Sequence, residues 1–493
     1  MAAESETEPG AAEVPGAPFA LLLELPPEAA PRLLRSGALA ACKAGRARSQ
    51  AVSLLWLDTA EGSLAADGLI VERAGREPQR LLRLLPRGDA ACWPGKPDGD
   101  AEEDPPAEGL VPLASFRGRR IRVPCSAGVS ALLLSGQLRA VANDRPAARL
   151  RLEGPAEEVF RTARALAKDL PLLPEAASLP EAGRALATGE AVRPRRAGPP
   201  SVGGARDVGE AVAGAIGHLG CALLHHREGA LLGVEPLPVH QMRVALRRLR
   251  AILRLFRDAT GAPALLRLEA ELKTLAGQLG PARDWDVFLG GLAAELAAAV
   301  PDEPRLAALL RDAQRARDAA YASLRDALSG AEFRLLALDI AEAAARPEGW
   351  RATAPAPDTE LAGFAAAMLE RRWRKLRKRG ERLDSLDLAA FHALRIEAKR
   401  LRYAAELFAP LWPGKRARRL LKRLAALQDS MGLANDAVVA RELVASLPGG
   451  SAGRAWAVGL LDGWALARLA TARREAAEAF SALAKTRPFW RED

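Results

Sequence analysis

One stretch of this chain is made twice, and that duplication constrains the fold more than any other feature. "VHQMRVALRRLRAILRLF" (residues 239–256) and "FHALRIEAKRLRYAAELF" (residues 391–408) align at an offset of 152 residues. His240 falls on His392, Arg243 on Arg395, Arg247 on Lys399, Arg250 on Arg402 and Phe256 on Phe408. The same offset carries Gly280 onto Gly432 and Asp284 onto Asp436 without a gap. A period this long marks a whole supersecondary unit made twice. Two equal helical units are expected to pack about a pseudo-two-fold axis.

Helical geometry explains the composition of the repeated stretch. At about 100° per residue, with His240 as zero, Arg243, Arg247, Arg250 and Arg254 fall between roughly 280° and 340°. Met242, Leu246, Leu249, Ile252, Leu253 and Phe256 occupy the arc from about 120° to 240°. One face is built for a core, and its flank carries a row of cations headed by a histidine. In the second copy His392, Arg395, Lys399 and Arg402 form the same row, and Glu406 stands where the first copy has Arg254.

Like charges three or four apart cost a helix a few tenths of a kcal/mol per pair, so an anion is expected to relieve each row. A solvated basic face, neutralised by neighbouring acids, is the plainer explanation of one such helix; the same register twice argues against it. Basic residues extend on both sides of the second row: Arg371, Arg374, Lys375 and Lys378 precede it, and Arg416, Arg419, Lys422 and Arg423 follow it. From Arg371 to Arg423 there are eighteen Lys or Arg against five Asp or Glu. The wall of an anion site is therefore expected to be heavier on the C-terminal side. The histidines, beside so many cations, are expected to be neutral rings that donate to a phosphate oxygen. No second His, Cys or carboxylate stands at ligand spacing on the same face, so no metal is expected. "ARDWD" and "AND" follow glycines, and their acids are expected to cap helices or to brace the arginines.

The rest of the chain divides by texture. Residues 1–18 read as a disordered acidic tail without the basic start or apolar core of a signal peptide. Residues 19–190 mix short apolar runs with turn formers, as strands with a few helices do. The insert at 94–109 reads as a solvated loop. The Pro- and Gly-rich 191–206 reads as a linker, and 207–489 as all-helical, with repeats at about 207–345 and 358–489. The four cysteines form no CxxC pair, which fits a reducing compartment. No stretch reads as long and apolar enough to span a bilayer, so a cytoplasmic protein is expected. The net charge of +10 favours an anionic partner.

The duplicated H-x-x-R-[VI]-x-x-[RK]-R-L-R, followed by "LGPARDWDV", resembles the CHAD family of histidine-containing α-helical domains. The resemblance covers about Asp207 to Phe489. It implies two pseudo-symmetric four-helix-bundle-like repeats with a basic groove between them that binds inorganic polyphosphate. The residues it carries over are His240, Arg243, Arg247, Arg250, His392, Arg395, Lys399 and Arg402; Arg254 and the flanking basic residues are added on charge alone.

CHAD domains often follow a CYTH domain, a β-tunnel acting on triphosphate compounds. "LWLDTAEGSLAADGLIVER" and "VFRTARALAKDLPLLPEAASLPEAGRAL" resemble parts of one. The implied architecture is multidomain: an α+β, CYTH-like antiparallel β-tunnel, then an all-α CHAD domain. The tunnel looks degenerate. Its opening E-x-E-x-K stands here as "PFALL", with Pro18, Ala20 and Leu22 in place of the charges. Arg149 and Arg151 take the place of later carboxylates, and Ser178-Leu179 that of a Ser-Lys pair. A metal site then lacks its ligands, so neither a cofactor nor triphosphatase activity is expected. The expected function is non-enzymatic polyphosphate binding, with targeting to polyphosphate granules as one use such binding would serve. A nucleic-acid binder is the alternative, disfavoured because aromatics are only 4% of residues and stacking platforms are scarce. A residual hydrolase in the N-terminal half is the third reading.

Overall fold

The structure is a computed structural model that describes residues 18–88, 90–196, 198–381, 383, 387–448 and 452–491. It leaves aside the side chains of 388, 433–438, 452–454, 465 and 468–470. The acidic tail, but for Pro18, lies outside the described residues.

The N-terminal half is a curved, tunnel-like antiparallel half-barrel. Its strands are β1 (Phe19–Glu24), β2 (Arg48–Thr59), β3 (Leu69–Ala74), β4 (Arg80–Arg83), β5 (Gly99–Asp100), β6 (Leu110–Pro124), β7 (Ser130–Arg139), β8 (Asp144–Gly154) and β9 (Leu173–Pro174). They lie in the order β5-β4-β3-β2-β6-β7-β8-β1-β9. Short helices α1 (Ala30–Leu34), α2 (Gly37–Cys42) and α3 (Ser63–Ala66) fill its connections, and α4 (Ala156–Asp169) and α5 (Leu179–Thr188) follow the long strands. Alternation assigns each side chain a face. Leu21 and Leu23 of β1 and Leu150 and Leu152 of β8 pack outward against Val159 and Phe160 of α4. The opposite face gathers Trp56, Ile70, Phe116, Leu138 and Ala147 around Leu179 and Ala182 of α5. Helix α5 thus fills part of the concave side with apolar core. Gly118 and Gly136 oppose each other across β6 and β7, where a Cβ on either would stand 2.3 Å from a backbone oxygen.

The C-terminal half holds α6 (Val208–His225), α7 (Arg227–Leu232), α8 (Leu237–Leu255), α9 (Arg257–Thr260), α10 (Pro263–Gly290), α11 (Leu292–Ala299), α12 (Pro304–Ser329), α13 (Ala331–Ala345), α14 (Pro347–Arg351), α15 (Leu361–Gly380), α16 (Leu388–Phe408), α17 (Lys415–Ser446) and α18 (Ala452–Ala484). The first repeat is α6, α8, α10 and α12, each packed on the next; the second is α15, α16, α17 and α18 in the same succession. Across the two repeats every helix meets its own counterpart: α6 with α15, α8 with α16, α10 with α17, α12 with α18. That is the signature of a pseudo-two-fold axis. The counterparts Phe256 and Phe408 meet edge to face, with ring centroids 5.6 Å apart.

Helix α13 has no counterpart and joins the halves. Its Leu338 and Ala341 enter the core under α4. Arg164 of α4 donates to Asp339 at 2.6 Å and to Glu342. On α6, Gly217 lies under the Cys92 carbonyl, which a Cβ there would meet at 1.9 Å. Two expectations need correction here. The insert at 94–109 is not simply a solvated loop: Pro94 and Gly95 are buried, the Gly95 N–H donates to the Glu175 carbonyl at 3.0 Å, and Gly99–Asp100 pair with β4. One segment, Val208–Leu232, does contain an 18-residue window with the mean hydropathy (1.2) of a bilayer span, but 78% of that window is buried within this fold. The Pro- and Gly-rich connection is pinned in place. Arg193 bonds Glu181 at 2.6 Å, Arg195 is buried, and Val202 enters the helical core.

Candidate anion-binding groove

Helix α8 starts at a proline suited to the first turn, runs through strong helix formers and buries Met242, Leu246, Leu249, Ile252 and Leu253. Helix α16 is capped by Asp387, whose carboxylate accepts the Ala390 N–H at 2.7 Å. The two helices cross with their cationic flanks toward one cleft. Arg247 of α8 lies over the Tyr403 ring of α16, 5.7 Å from its centroid. Arg248 pairs with Glu406 at 3.1 Å and ties one repeat to the other.

A cavity of about 190 Å³ opens where they cross. Arg247, Arg250 and Arg254 come from α8, Lys399 and Arg400 from α16, and Arg372 from α15. Among the described residues no carboxylate lines it, and its floor is apolar. A second cavity of about 380 Å³ shares Arg254, Arg372 and Arg400 and adds Arg257, Arg371 and Lys375, with Asp258 and Glu397 as its acids. Glu397 is buried beneath this wall, 3.0 Å from Lys375 and 2.9 Å from Arg400. Burial, and then the Arg254 guanidinium, lowers the pKa of Arg250; burial, and then Arg400, does the same for Arg372. A guanidinium stays charged regardless, so both groups are cations held partly out of water, each beside a second guanidinium that an anion would offset.

The other residues singled out in the sequence divide. His240 and Arg243 lie on the N-terminal turns of α8, beyond Arg247. Burial, and then the charges of Arg283, Arg247 and Arg243, holds the His240 imidazole below its ordinary value. Arg243 sits 3.8 Å from Asp284. His392 is exposed and Arg395 half-buried on the matching turns of α16. Arg402 turns away to Glu406 at 2.7 Å and Gln428 at 3.2 Å. Arg254 reaches the cavities while also bonding Glu269 at 2.6 Å. Arg374 is held by Glu370, which also binds Arg491. Lys378 is exposed and lines neither cavity.

Arg416, Arg419, Lys422 and Arg423 are exposed on α17 and line neither cavity. On α17 the buried stripe is Ala417, Leu420, Leu424, Leu427 and Met431, with Gln428, which meets Arg402, on one side of it. At about 100° per residue Arg416, Arg419 and Arg423 fall on the other side and Lys422 opposite the stripe. Charge density along the sequence marked them; facing did not. "ARDWD" opens no helix either, because α10 runs unbroken through Pro281. Asp284 braces Arg243, and buried Asp286 accepts from Arg317 at 2.7 Å and from the Tyr321 hydroxyl at 2.8 Å. The side chains of "AND" lie outside those described.

Arg372, Arg400, Arg257 and Tyr403 were missed in the sequence. Arg400 is the repeat counterpart of Arg248, and Arg372 stands three residues before Lys375 on the same helix face; both signals were present.

The concave side of the sheet shows what its residues can hold. Register places Leu22 beside Arg151 and Glu24 beside Arg149 on one face. The acids that do gather nearby are Glu24, Asp98 and Glu175. Arg149 bonds Glu175 at 2.6 Å, and Arg195 lies 3.3 Å from Asp98. Burial pushes the Asp98 carboxyl up to about 7 against the pull of Arg195. Carboxylates already neutralised by arginines do not fit a divalent cation. Among the described residues no group of three or more His, Cys, Asp or Glu is placed to hold a metal.

Fold and groove together define a duplicated cationic helical module docked on an antiparallel half-barrel. Residues 214–445 match the CHAD domain family, and the chain belongs to the proteins that carry this domain. Similar solved structures include the CHAD domain from the plant Ricinus communis, 32% identical, covering 57% of this chain and 93% of that one with a TM-score of 0.49. PptA from Streptomyces chartreusis is 19% identical and covers 56% and 99%, with a TM-score of 0.43. The putative adenylyl cyclase HpAC1 from Hippeastrum, described as having a dominant triphosphatase activity, is 16% identical and covers 35% and 97%, with a TM-score of 0.26. No curated protein matches the chain at a significant level.

Proposed function

We propose that this protein binds inorganic polyphosphate in the groove between its repeats and does not hydrolyse it. One observation carries the reading: six cations from both repeats surround a single cavity that, among the described residues, no carboxylate lines. A linear polyanion neutralised there releases counterions, as nucleic acid does on a basic protein, and guanidinium forks add directional bonds to phosphate oxygens. The arginine-held acids and the α5 core of the half-barrel support a scaffold or docking role for that domain. A cytoplasmic location, with recruitment to polyphosphate granules, belongs to the same proposal.

The test is binding of the full chain to long-chain polyphosphate across a salt series, with single-stranded RNA as competitor. Wild type is compared with an Arg247→Ala, Lys399→Ala double variant. Tight binding that RNA does not displace and the variant loses is the expected result. Equal displacement by RNA, or an indifferent variant, overturns the proposal.

A further inference from the structure

Cations alone would suffice for an inorganic chain, yet the cavity at the helix crossing is lined in a way that bare phosphate does not use. Beneath its cationic rim lie Ala251, Ile252, Leu255, Ile396 and Ala404. Three of its lining residues also carry a buried polar atom without a hydrogen-bond partner among the described residues: Arg250 Nε, Arg372 Nε and Tyr403 Oη. Such atoms are rare in folded proteins, because each one left unpaired has lost its water without gaining a partner. Three on the residues of one cavity, one from each of α8, α15 and α16, point to something that enters it and toward which these side chains turn.

Two of the three are guanidinium N–H groups that phosphate oxygens satisfy. The third is a phenol at the edge of an apolar floor, where a fully hydrated phosphate chain has nothing to gain. A planar, weakly polar ring does gain there. It buries its faces on the aliphatic floor, and a heteroatom at its edge exchanges a hydrogen bond with Tyr403. Size agrees: an apolar cavity of about 150 Å³ holds benzene, and this one measures about 190 Å³. Arg247, already over the Tyr403 ring at 5.7 Å, would flank the same ring and its first phosphate.

We infer that the crossing of α8 and α16 is a subsite for phosphate chains that carry a planar heteroaromatic cap, nucleoside 5′-polyphosphates being the chemical class. The inference rests on the proposed anion groove and adds a second ligand class to it.

The experiment uses the full chain without divalent metal, at one fixed salt concentration. Affinities for adenosine 5′-triphosphate and inorganic tripolyphosphate are measured by calorimetry, beside long-chain polyphosphate. The nucleotide is expected to bind at least tenfold more tightly than tripolyphosphate. Tyr403→Phe should cut that ratio several-fold, and Ala251→Leu, which fills the floor, should bring it to about one; circular dichroism and thermal melts check that both variants fold. A wild-type ratio of one or below, with long-chain polyphosphate still bound, overturns this inference alone. So does an unchanged ratio in a folded Ala251→Leu variant. Failure to bind any of the three overturns this inference and the polyphosphate reading together.

Discussion

Replacing Glu397 by Gln should loosen the fold and tighten the anion. The carboxylate is 4% exposed and lies 3.0 Å from Lys375, 2.9 Å from Arg400 and 3.7 Å from Arg379. Those three cations are roughly half exposed, so each pair contributes only about 0–1 kcal/mol. Losing the buried charge that gathers them should destabilise the protein by about 1–2 kcal/mol. A phosphate bound on the far side of Arg400 or Lys375 would sit about 7 Å from the carboxylate, and their repulsion is ~0.6 kcal/mol at a dielectric of 80 and ~2.4 kcal/mol at 20. Half-exposed cations favour the lower end. Removing the charge is therefore worth about 1 kcal/mol, or a roughly fivefold lower Kd. Polyphosphate titration at moderate salt reads the affinity, and urea unfolding reads the stability. If a folded Glu397→Gln variant binds more weakly, Glu397 positions the wall more than it competes with the ligand, and the reasoning fails.

Glu406→Ala leaves Arg248 and Arg402 without the carboxylate that accepts from them at 3.1 and 2.7 Å. It should cost about 1–3 kcal/mol in urea unfolding; an unchanged midpoint would mean that the repeats do not depend on this tie. Gly217→Ala puts a Cβ 1.9 Å from the Cys92 carbonyl oxygen and should destabilise the junction by about 2 kcal/mol, seen as faster proteolysis in the connection between the halves. For His240 the folded pKa lies below the ordinary 6.5, so the unfolded chain binds the proton more readily and this site weakens the fold as pH falls through that range. An anion beside the ring reverses the effect, so binding should take up protons and tighten between about pH 7.5 and 5.5. His240→Gln should flatten that part of the profile, and calorimetry in buffers of different ionisation enthalpy checks the proton uptake.

The repeat, the helical half and the cationic flank of α8 were legible because each depends on periodicity, which a sequence carries in full. What the sequence hid depends on facing between distant elements. Arg416, Arg419 and Arg423 look like an extension of the basic wall, yet they lie across the core stripe of α17 from Gln428 and line neither cavity. Gly280 and Pro281 suggest a helix break, but Leu272, Leu275, Leu279 and Ala282 on one side of α10 are all buried, and that packing carries the helix through. The buried acids Asp98 and Glu175 were invisible because they come from an insert and a connection, whereas the resemblance points to carboxylates on strands. Arg195, which lies against both, sits in a stretch that reads as spacer.

That each of the four helices of one repeat packs on its counterpart in the other is the geometry of an isologous dimer written into one chain. Two identical subunits would have to keep the same surface on both sides of their axis, but covalent fusion removes that obligation. The two copies have used the freedom differently. At the positions where α15 presents Arg371, Arg372 and Lys375, α6 carries Leu219, Gly220 and Leu223. In α6 these residues lie within the packed interior, and Gly220 faces Pro94 of the half-barrel and Ile340 of α13. One copy has become the mount and the other the hand.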